Sequence, residues 1–440
     1  MTDAATGTDA TAELTAAEQR GSSRRSMVVA AAGTIIEWYD FSLYIYVAPV
    51  LTRVFFGGDG HSLILTFGVF AAGFLFRPIG AVVFGHLGDR VGRKNTLVIS
   101  AGLMAVAMFG VAALPSAASI GVAAGIGLFL FRCLAGFSVG AEYTGILVFL
   151  LESAPAHRRG FATSWAAANS EVGALLAVGV ATLFSANLST EALDSWGWRL
   201  TFVIGGLLAA VMIPLRGMLE ETVVFRRCQD SGAIVKSPVR EVLRRQPRAV
   251  LLAFAISTVG SVSYFLNISY VPTFLDSVVH LTQTSSLLLG TLAAAIIIVV
   301  TPVIGYVSDR VGRRPTMLVI AVVLVLTTVP FFATLLGGST TVILLGTVAL
   351  AVPAAAWSAV AAAAVPEQFA AVGRFCGMAI GYNVATTLFG GLSPLIATLL
   401  LEATGWRLAP AAYATVVALA VLPVLLLMRE TAGRPLPDRV

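Results

Sequence analysis

The sequence has 440 residues, of which 58% are hydrophobic and 12% charged, and its mean hydropathy is +0.90. Soluble domains are roughly half apolar and a quarter charged, and a single aqueous core stops growing at about 250 to 300 residues, so this composition excludes most soluble enzymes and predicts a protein solvated by lipid. The net charge of +5 favours a partner that carries phosphate groups, either a membrane surface or a nucleic acid.

The chain begins with residues 1–26, which are polar and lack the apolar core and cleavage site of a secretory signal. We expect them to form a disordered cytoplasmic tail. The three cysteines, Cys133, Cys228 and Cys376, are far apart and form no CxxC pair, which is not the spacing of a disulfide framework or a zinc site. The four histidines do not cluster either, so the sequence predicts no metal site and no cofactor.

Twelve apolar stretches follow, each at least as long as the 20 or so residues that a helix needs to cross the hydrocarbon layer. Long charge-free runs are divided where Pro or Gly interrupts them, for example at Pro115 and at Gly337. The predicted spans are residues 27–51, 63–87, 95–114, 119–149, 160–184, 197–217, 248–275, 283–307, 315–336, 340–365, 374–401 and 408–428.

Arg and Lys residues are concentrated on alternate connections between these spans. The opposite connections contain little beyond Arg53, Arg199 and Arg407. By the positive-inside rule this places both termini in the cytoplasm, and it makes the basic surplus a signal of topology rather than a nucleic-acid interface. The Arg-rich, Lys-poor composition is typical of a GC-rich bacterial genome, so we expect a multi-pass protein of the bacterial cell membrane.

The two halves of the sequence repeat one another. GHLGDRVGRK begins at Gly85 and GYVSDRVGRR at Gly305, GWR occurs at Gly197 and Gly405, and Glu152 and Glu367 stand in matching positions. Internal repeats of this kind are typical of transporters. The predicted organisation is a first six-helix bundle over 27–217, a cytoplasmic linker over 218–247, a second six-helix bundle over 248–428 and a cytoplasmic tail over 429–440.

The doubled G-x-x-x-D-R-x-G-R-[KR] pattern resembles the signature of the major facilitator superfamily. GTIIEWYDFSLY, RCLAGFSVGAEYTG and ESAPAHRRGFATSW resemble its metabolite:proton symporters, and the resemblance covers about residues 27–430. It implies an all-α integral membrane fold with 12 transmembrane helices in two pseudo-symmetric six-helix bundles, and a transporter rather than an enzyme. Such carriers take organic acids, shikimate-like compounds, amino acids or betaines, and this chain departs from their usual helix 5 by placing Glu171 after Asn169 and Ser170.

Ionisable residues inside a span are expensive and therefore functional candidates. Counted at 1.5 Å per residue, those near mid-depth are Glu37, Asp40, Arg77, Arg132 and Glu171, all in the first half. The second half offers neutral groups instead, such as Trp357 and Tyr382. We therefore expect the first half to supply protons and charge recognition and the second half to supply a polar and aromatic wall.

The predicted proton-coupling residues are Asp40, Glu37 and Glu142. Glu37 and Asp40 are three positions apart and share a helix face, where two close carboxylates cannot both remain ionised easily. The alternative is that either one is a structural partner of Arg132 or Arg77. Glu142 is expected to relay a proton or to lock the cytoplasmic side against Arg159.

Arg77 precedes Pro78 and offers a planar fork for a carboxylate. Arg77 and Arg132 have the same two possible roles: each binds the substrate, or each is a structural counter-charge to an acidic residue. Arg199 would contact anions at the cavity mouth or anchor in lipid headgroups, and Glu171 would bind a substrate amine or neutralise Arg132. The predicted substrate-binding residues are Arg77, Arg132, Glu171, Arg199, Tyr39, Tyr44, Tyr264, Asn267, Tyr270 and Asn383.

The two repeated loops are predicted to form a conformational latch. Their aspartates can accept N–H bonds at a helix start or pair with arginines across the interface, and their glycines permit the tight turn. Reorientation would break these contacts. The predicted latch residues are Gly85, Asp89, Arg90, Gly92, Arg93, Arg159, Gly305, Asp309, Arg310, Gly312 and Arg313.

Together these features predict a proton-coupled symporter that imports a small carboxylate-bearing metabolite, an organic anion, by alternating access. The alternatives are a carrier of a zwitterion or cation that uses Glu171, and a proton-coupled exporter. The expected partners are the small-molecule substrate, protons and the lipid bilayer. Neither a nucleic acid nor an obligatory protein partner is expected, and no nucleophile, base and metal set suggests an enzyme.

Overall fold

A computed structural model of the protein describes residues 5–57, 60–230, 237–281 and 283–437, and within these ranges it is helical with no β-strand. The helices are α1 (Ala5–Tyr46), α2 (Ala48–Phe56), α3 (Gly60–Val91), α4 (Arg93–Ala113), α5 (Ala117–Ile120), α6 (Val122–Ser153), α7 (Arg159–Asn187), α8 (Thr190–Ala192), α9 (Trp198–Gly217), α10 (Val223–Asp230), α11 (Pro238–Arg245), α12 (Pro247–Tyr264), α13 (Val271–Ser277), α14 (Gln283–Val311), α15 (Arg313–Leu335), α16 (Thr340–Ala364), α17 (Arg374–Ala385), α18 (Ser393–Thr404) and α19 (Ala409–Leu426).

The long helices correspond one for one to the twelve predicted spans. Three spans are interrupted: α1 and α2 form the first, α12 and α13 the seventh, and α17 and α18 the eleventh, the last two being joined by π-helical turns. Eleven helices among the described residues are long and apolar enough to cross a membrane. The first span is not among those eleven, since Glu37 and Asp40 lower its hydropathy.

The N-terminal segment differs from the sequence prediction. Disorder was expected over 1–26, but α1 continues back to Ala5, because Ala, Glu and Arg favour helix; residues 1–4 lie outside the described residues. The linker over 218–247 contains two short helices, α10 and α11, and its residues 231–236 lie outside the described part.

The two halves have the same packing plan. In the first half α3 packs on α6, α4 on α9, and α1 on α7; the equivalent pairs in the second half are α14 on α16, α15 on α19, and α12 on α17. Glycine lets helices of one bundle approach closely: a Cβ at Gly136 of α6 would overlap the carbonyl oxygen of Gly73 on α3. The halves meet where α7 contacts α14 and where α3 contacts α17.

Candidate functional site

A cavity of about 80 Å³ lies between the two halves. Its first-half wall contains three charged residues, Glu37, Arg77 and Glu171. Its second-half wall is neutral, in agreement with the expected division between the halves. The uncharged polar and aromatic side chains that line the cavity, from both halves, are Trp38, Phe41, Tyr143, Ser170, Ser257, Ser261, Tyr264, Phe265, Thr301, Trp357, Ser358, Tyr382 and Thr386.

Glu37 and Arg77 form a buried ion pair at the cavity surface. The Arg77 Nη2 atom lies 3.1 Å from Glu37 Oε1, and the guanidinium lies over the rings of Phe41 and Phe74 at 5.3 and 5.5 Å. Glu37 Oε2 is buried and has no hydrogen-bond partner among the described residues. One oxygen of this carboxylate is therefore committed to Arg77, and the other has room for a proton.

Asp40 and Arg132 form a second pair, which does not line the cavity. Arg132 donates two hydrogen bonds to the Asp40 carboxylate, of 2.6 and 3.0 Å, and lies over the Tyr44 ring at 5.2 Å. Both side chains are buried. The structure thus pairs each of the two helix 1 carboxylates with its own arginine. This is the structural pairing that the sequence analysis gave as the alternative to proton coupling.

Glu171 lies in the cavity wall, where Tyr264 of the opposite half donates a hydrogen bond to it. The expectation that it neutralises Arg132 is wrong, since Asp40 does so. No ion pair to Glu171 occurs among the described residues. The cavity therefore contains an acidic group whose charge is not matched by an arginine.

Glu142 pairs with Arg216 of α9 rather than with Arg159, so the predicted lock against Arg159 is wrong. Ser100 also donates to Glu142, at 2.6 Å, and Arg216 donates to the carbonyl oxygen of Leu97 at 2.8 Å. Arg159 lies at the start of α7, near the interface between the halves, so it does not reach this buried site. Arg216 was missed because it lies at the end of a predicted span, where basic residues usually flank the membrane.

The other predicted substrate residues lie outside the cavity lining. Arg199 donates to the carbonyl oxygens of Ala112 and Leu114 at the end of α4, at 2.7 and 2.5 Å. The hydroxyl groups of Tyr39 and Tyr44 donate to the carbonyl oxygens of Thr201 and Thr66. Asn267, Tyr270 and Asn383 are all buried.

Sequence reasoning missed several lining residues. Trp38 and Phe41 flank the acidic positions of helix 1, and Tyr143 directly follows Glu142. Their proximity to candidate charges was the available signal. Trp357 and Tyr382 were expected only as part of a neutral wall, and both contribute to it.

At one end of the bundle, Asp89 joins the two halves. Its carboxylate accepts hydrogen bonds from the backbone N–H groups of Phe375 and Cys376, at 3.4 and 2.9 Å, in the first turn of α17. The helix dipole also stabilises a negative charge at this end of a helix. Arg93 lies 3.2 Å from Asp89 and 3.3 Å from Glu152. Asp89 therefore caps a helix of the second half while being held by an arginine of the first.

Asp309 makes the symmetry-related contacts. It accepts the N–H groups of Gly160 and Phe161 in the first turn of α7, both at 2.8 Å. Arg313 lies 2.7 Å from Asp309 and 3.2 Å from Glu367. Each half thus caps a helix of the other half.

The arginines that begin α17 and α7 occupy equivalent positions but bind different groups. Arg374 forms an ion pair of 2.8 Å with Glu152 across the interface, whereas Arg159 donates to the backbone carbonyl of Arg434 at 2.7 Å. Arg90 and Arg310 are exposed, and Arg310 lies over the ring of Tyr306.

The motif glycines have two different roles. Gly92 and Gly312 adopt φ of +114° and +112° in the turns, a conformation that disfavours residues with a Cβ. Gly85 and Gly305 instead lie where the halves touch. A Cβ at Gly85 would be 2.8 Å from Cys376 Cα, and one at Gly305 would be 2.6 Å from the Gly160 carbonyl oxygen.

Glu430 caps the start of α15, since Arg313 and Arg314 donate their backbone N–H groups to it at 3.0 and 2.9 Å. Burial alone would raise the pKa of Glu430, but these bonds and those from Ala432 and Thr431 keep the pKa below its ordinary value. Glu221 accepts the N–H of Lys94 in the equivalent position of α4.

The sequence family agrees with this architecture. The family model named Major Facilitator Superfamily matches residues 30–379 and, in a second match, residues 302–439. The chain belongs to the Major Facilitator Superfamily. This facilitator is accordingly a multi-pass membrane transporter and not an enzyme.

Several transporters are similar to this facilitator over most of their length. The glycine betaine/proline/ectoine/pipecolic acid transporter OusA of Dickeya dadantii is 34% identical over 94% of this chain and 85% of its own. The proline/betaine transporter of Escherichia coli is 33% identical with the same coverage. The citrate-proton symporter of Klebsiella pneumoniae is 32% identical over 86% of this chain and 85% of its own.

Solved structures share the fold. The proton:xylose symporter XylE of E. coli, bound to 6-bromo-6-deoxy-D-glucose, superposes with a TM-score of 0.77 over 94% of this chain and 98% of that one, at 17% identity. The facilitator FucP in its outward conformation gives a TM-score of 0.69 at 14% identity.

Proposed function

We propose that this facilitator is a proton-coupled symporter that imports a small zwitterion of the betaine or proline type. The observation that carries the proposal is Glu171, an acid in the cavity wall that is hydrogen-bonded to Tyr264 but matched by no arginine among the described residues. A cationic nitrogen would balance its charge. The names of the betaine and proline transporters that resemble this chain support the same class of cargo.

Opposite charges stand on the cavity wall in the way that a zwitterion requires. Arg77 offers its guanidinium to a carboxylate, and Glu171 offers its carboxylate to an amine or quaternary ammonium group. The rings of Trp38, Tyr264 and Trp357 line the same cavity, and aromatic faces attract such cations. The proposed substrate is thus the zwitterion that the sequence analysis gave as an alternative, and not the organic anion that it expected.

Proton coupling is assigned to Glu37. While Glu37 is ionised it holds Arg77 at 3.1 Å. Protonation would remove that attraction and free the guanidinium for a substrate carboxylate, so a proton and a substrate would bind together. Asp40, the other candidate, lies outside the cavity lining and is held by two hydrogen bonds from Arg132, which makes it the weaker choice.

The transport cycle follows from the closed helix caps at Asp89 and Asp309. The positive-inside pattern of the sequence places this end, and both termini, in the cytoplasm, within a bacterial cell membrane. The described state is then closed toward the cytoplasm. Proton and substrate would enter from outside, the caps would break, and both would be released inside by alternating access.

The test is electrical current and internal pH in liposomes on a solid support, measured with glycine betaine, proline, ectoine, citrate and shikimate. We expect current and internal acidification with the zwitterions and not with citrate. Glu171→Gln should reduce the zwitterion currents at least tenfold, because it removes the charge that balances the nitrogen. A response to citrate alone, undiminished in Glu171→Gln, would replace this proposal with an anion symporter, which the citrate-proton relative represents.

A matched pair of variants tests the proton site. Glu37→Gln should abolish uptake against a gradient while retaining exchange of substrate between the two sides. Asp40→Asn should retain both if its role is structural and the protein folds. Accumulation by Glu37→Gln would show that Glu37 is not the proton carrier.

A further inference from the structure

Asn383 connects the charged wall of the cavity to the opposite half of the molecule. Its Oδ1 atom accepts a hydrogen bond of 3.3 Å from Arg77 Nε. Its Nδ2 atom donates to the carbonyl oxygens of Gly140, at 3.0 Å, and of Ala379, at 2.9 Å. Asn383 belongs to α17 of the second half, whereas Arg77 and Gly140 belong to the first, so this one side chain bonds to both halves.

Asn383 lies behind Arg77 rather than at the cavity surface. It is 1% exposed and is not among the residues that line the cavity. A substrate in the cavity would therefore meet Arg77 and Glu37 but not Asn383, in contrast to the substrate contact expected from the sequence. Any influence of Asn383 on transport has to act through Arg77.

The guanidinium of Arg77 is consequently shared between two partners. Nη2 is directed at Glu37 of α1, and Nε is directed at Asn383 of α17. While Glu37 is ionised, it holds the guanidinium where Nε reaches across the interface. A group that draws Arg77 toward the cavity would lengthen or break the contact with Asn383.

We propose that Asn383 is a positioning residue through which the proton on Glu37 controls separation of the two halves at the end that contains Asp89 and Asp309. This inference rests on the proposed proton coupling at Glu37. In the empty, ionised state the bond from Arg77 to Asn383 favours the closed interface. Protonation of Glu37 weakens that preference by itself, and capture of Arg77 by a substrate carboxylate then removes it, so the halves can separate.

Other charged or titratable groups also surround Glu37, and a test has to distinguish them from Asn383. On the elements packed around it they are Arg77 of α3, Glu142 and Tyr143 of α6, Glu171 of α7, Arg216 of α9 and Tyr382 of α17. Asn383 itself does not titrate. A change of pH response on its replacement therefore reports coupling through Arg77 and not loss of a proton site.

Cys376 supplies a probe of the interface that needs no substrate. It is fully buried where α17 meets α3, and separation of the halves would expose its thiol to maleimide. The reporter is the full chain with Cys133 and Cys228 replaced by Ala, in liposomes, alkylated at several pH values. Each variant is compared with this parent at the same pH, so that the ionisation of the thiol itself cancels.

Thr387→Val is the matched control for Asn383→Ala. Thr387 lies one turn further along the chain and also bonds across the interface, from Oγ1 to the carbonyl oxygen of Phe74 at 3.0 Å, but it touches no charged group in that bond. Thr387→Val removes one side-chain bond between the halves, whereas Asn383→Ala removes two, those to Arg77 and to Gly140. Only the one at Asn383 removes a bond to Arg77.

We expect the parent to alkylate faster as the pH is lowered, relative to free cysteine at the same pH, and Thr387→Val to keep that pH response. Asn383→Ala should alkylate about tenfold faster than the parent at pH 8, because it removes the bonds from Asn383 to the first half, and should lose the pH response. Glu37→Gln should lose it as well. Asn383→Asp keeps the acceptor for Arg77 but loses the donor bonds to Gly140 and Ala379, so it should keep the pH response that Asn383→Ala loses.

The possible failures are distinguishable. A parent with no pH response would overturn both the inference and the proton coupling at Glu37. A parent that responds, together with an Asn383→Ala variant that responds equally, would overturn the role of Asn383 and leave the proposed function intact. If Asn383→Ala does not fold, Asn383→Asp decides: loss of the pH response in this variant, which keeps the acceptor for Arg77, would contradict the inference.

Discussion

Replacing Asp309 by Asn should open the interface between the two halves. The Asp309 carboxylate accepts the N–H groups of Gly160 and Phe161, both at 2.8 Å. Asparagine has nearly the same size but a single acceptor oxygen and no charge, so at least one of these bonds is lost. Arg313 keeps its partner Glu367 at 3.2 Å, which limits the damage to the cap of α7.

The size of the effect follows from the bond that is lost. A hydrogen bond to a charged group contributes about 1.5 to 3 kcal/mol, and each 1.4 kcal/mol or so changes an equilibrium constant tenfold. The ratio of open to closed protein should therefore rise by about 10 to 100 fold. Because the cap stabilises only the closed state, the overall fold should survive the substitution.

Maleimide alkylation of Cys376, in the chain with Cys133 and Cys228 replaced by Ala, measures this ratio. Cys376 lies in the other contact between the halves, so the substitution does not alter its immediate surroundings. Arg310→Ala is the matched control, since Arg310 follows Asp309 in the last turn of α14 but is exposed. Equal alkylation rates in the Asp309→Asn variant and its parent, or an equal increase in Arg310→Ala, would refute the assignment of Asp309 as a cap between the halves.

Three further results are expected. Gly305→Ala should also raise the alkylation rate of Cys376, since its Cβ would lie 2.6 Å from the Gly160 carbonyl oxygen; an unchanged rate would argue against that close approach. Removal of residues 434–440 should also raise the alkylation rate of Cys376, because it deletes the backbone carbonyl that Arg159 binds. Arg434→Ala keeps this carbonyl and should leave the rate unchanged. Equal alkylation rates in the two variants would disprove the contact. Because the pKa of Glu430 is lowered, its ionised carboxylate caps α15 fully above the ordinary pKa of 4.5, and the cap is lost as the pH falls below that value. Glu430→Gln should therefore lower the melting temperature at pH 7 and make the melting temperature fall less on acidification. Melting temperatures that fall in parallel with pH in the variant and its parent would contradict this role.

The fold was largely predictable because its signals are redundant along the chain. Twelve apolar runs, the alternation of basic connections and the repeated loops at Gly85 and Gly305 all point to two related bundles. The helix caps at Asp89 and Asp309 followed from those repeats. Glu152 and Glu367 were noted as matching positions, but only the folded chain shows that they hold Arg93 and Arg313.

The pairing inside the bundle was less predictable because it depends on how each helix is rotated about its axis. Glu37 and Asp40 share a face in an ideal helix, yet each reaches a different arginine. Glu171 could be identified as unusual from the sequence, but its partner Tyr264 comes from the other half. Depth in the membrane can be counted along a chain, whereas the identity of a neighbour across a bundle cannot.

The reciprocal caps also bear on how the chain is assembled. Asp89 of the first half binds the start of α17 in the second, and Asp309 of the second binds the start of α7 in the first. Each half therefore contributes both a capping carboxylate and a capped helix start, and recognition between the halves does not depend on the peptide that joins them. Two separately synthesised fragments, divided within residues 231–236, should find one another in the membrane and reconstitute transport, as the products of a duplicated ancestral unit would once have done.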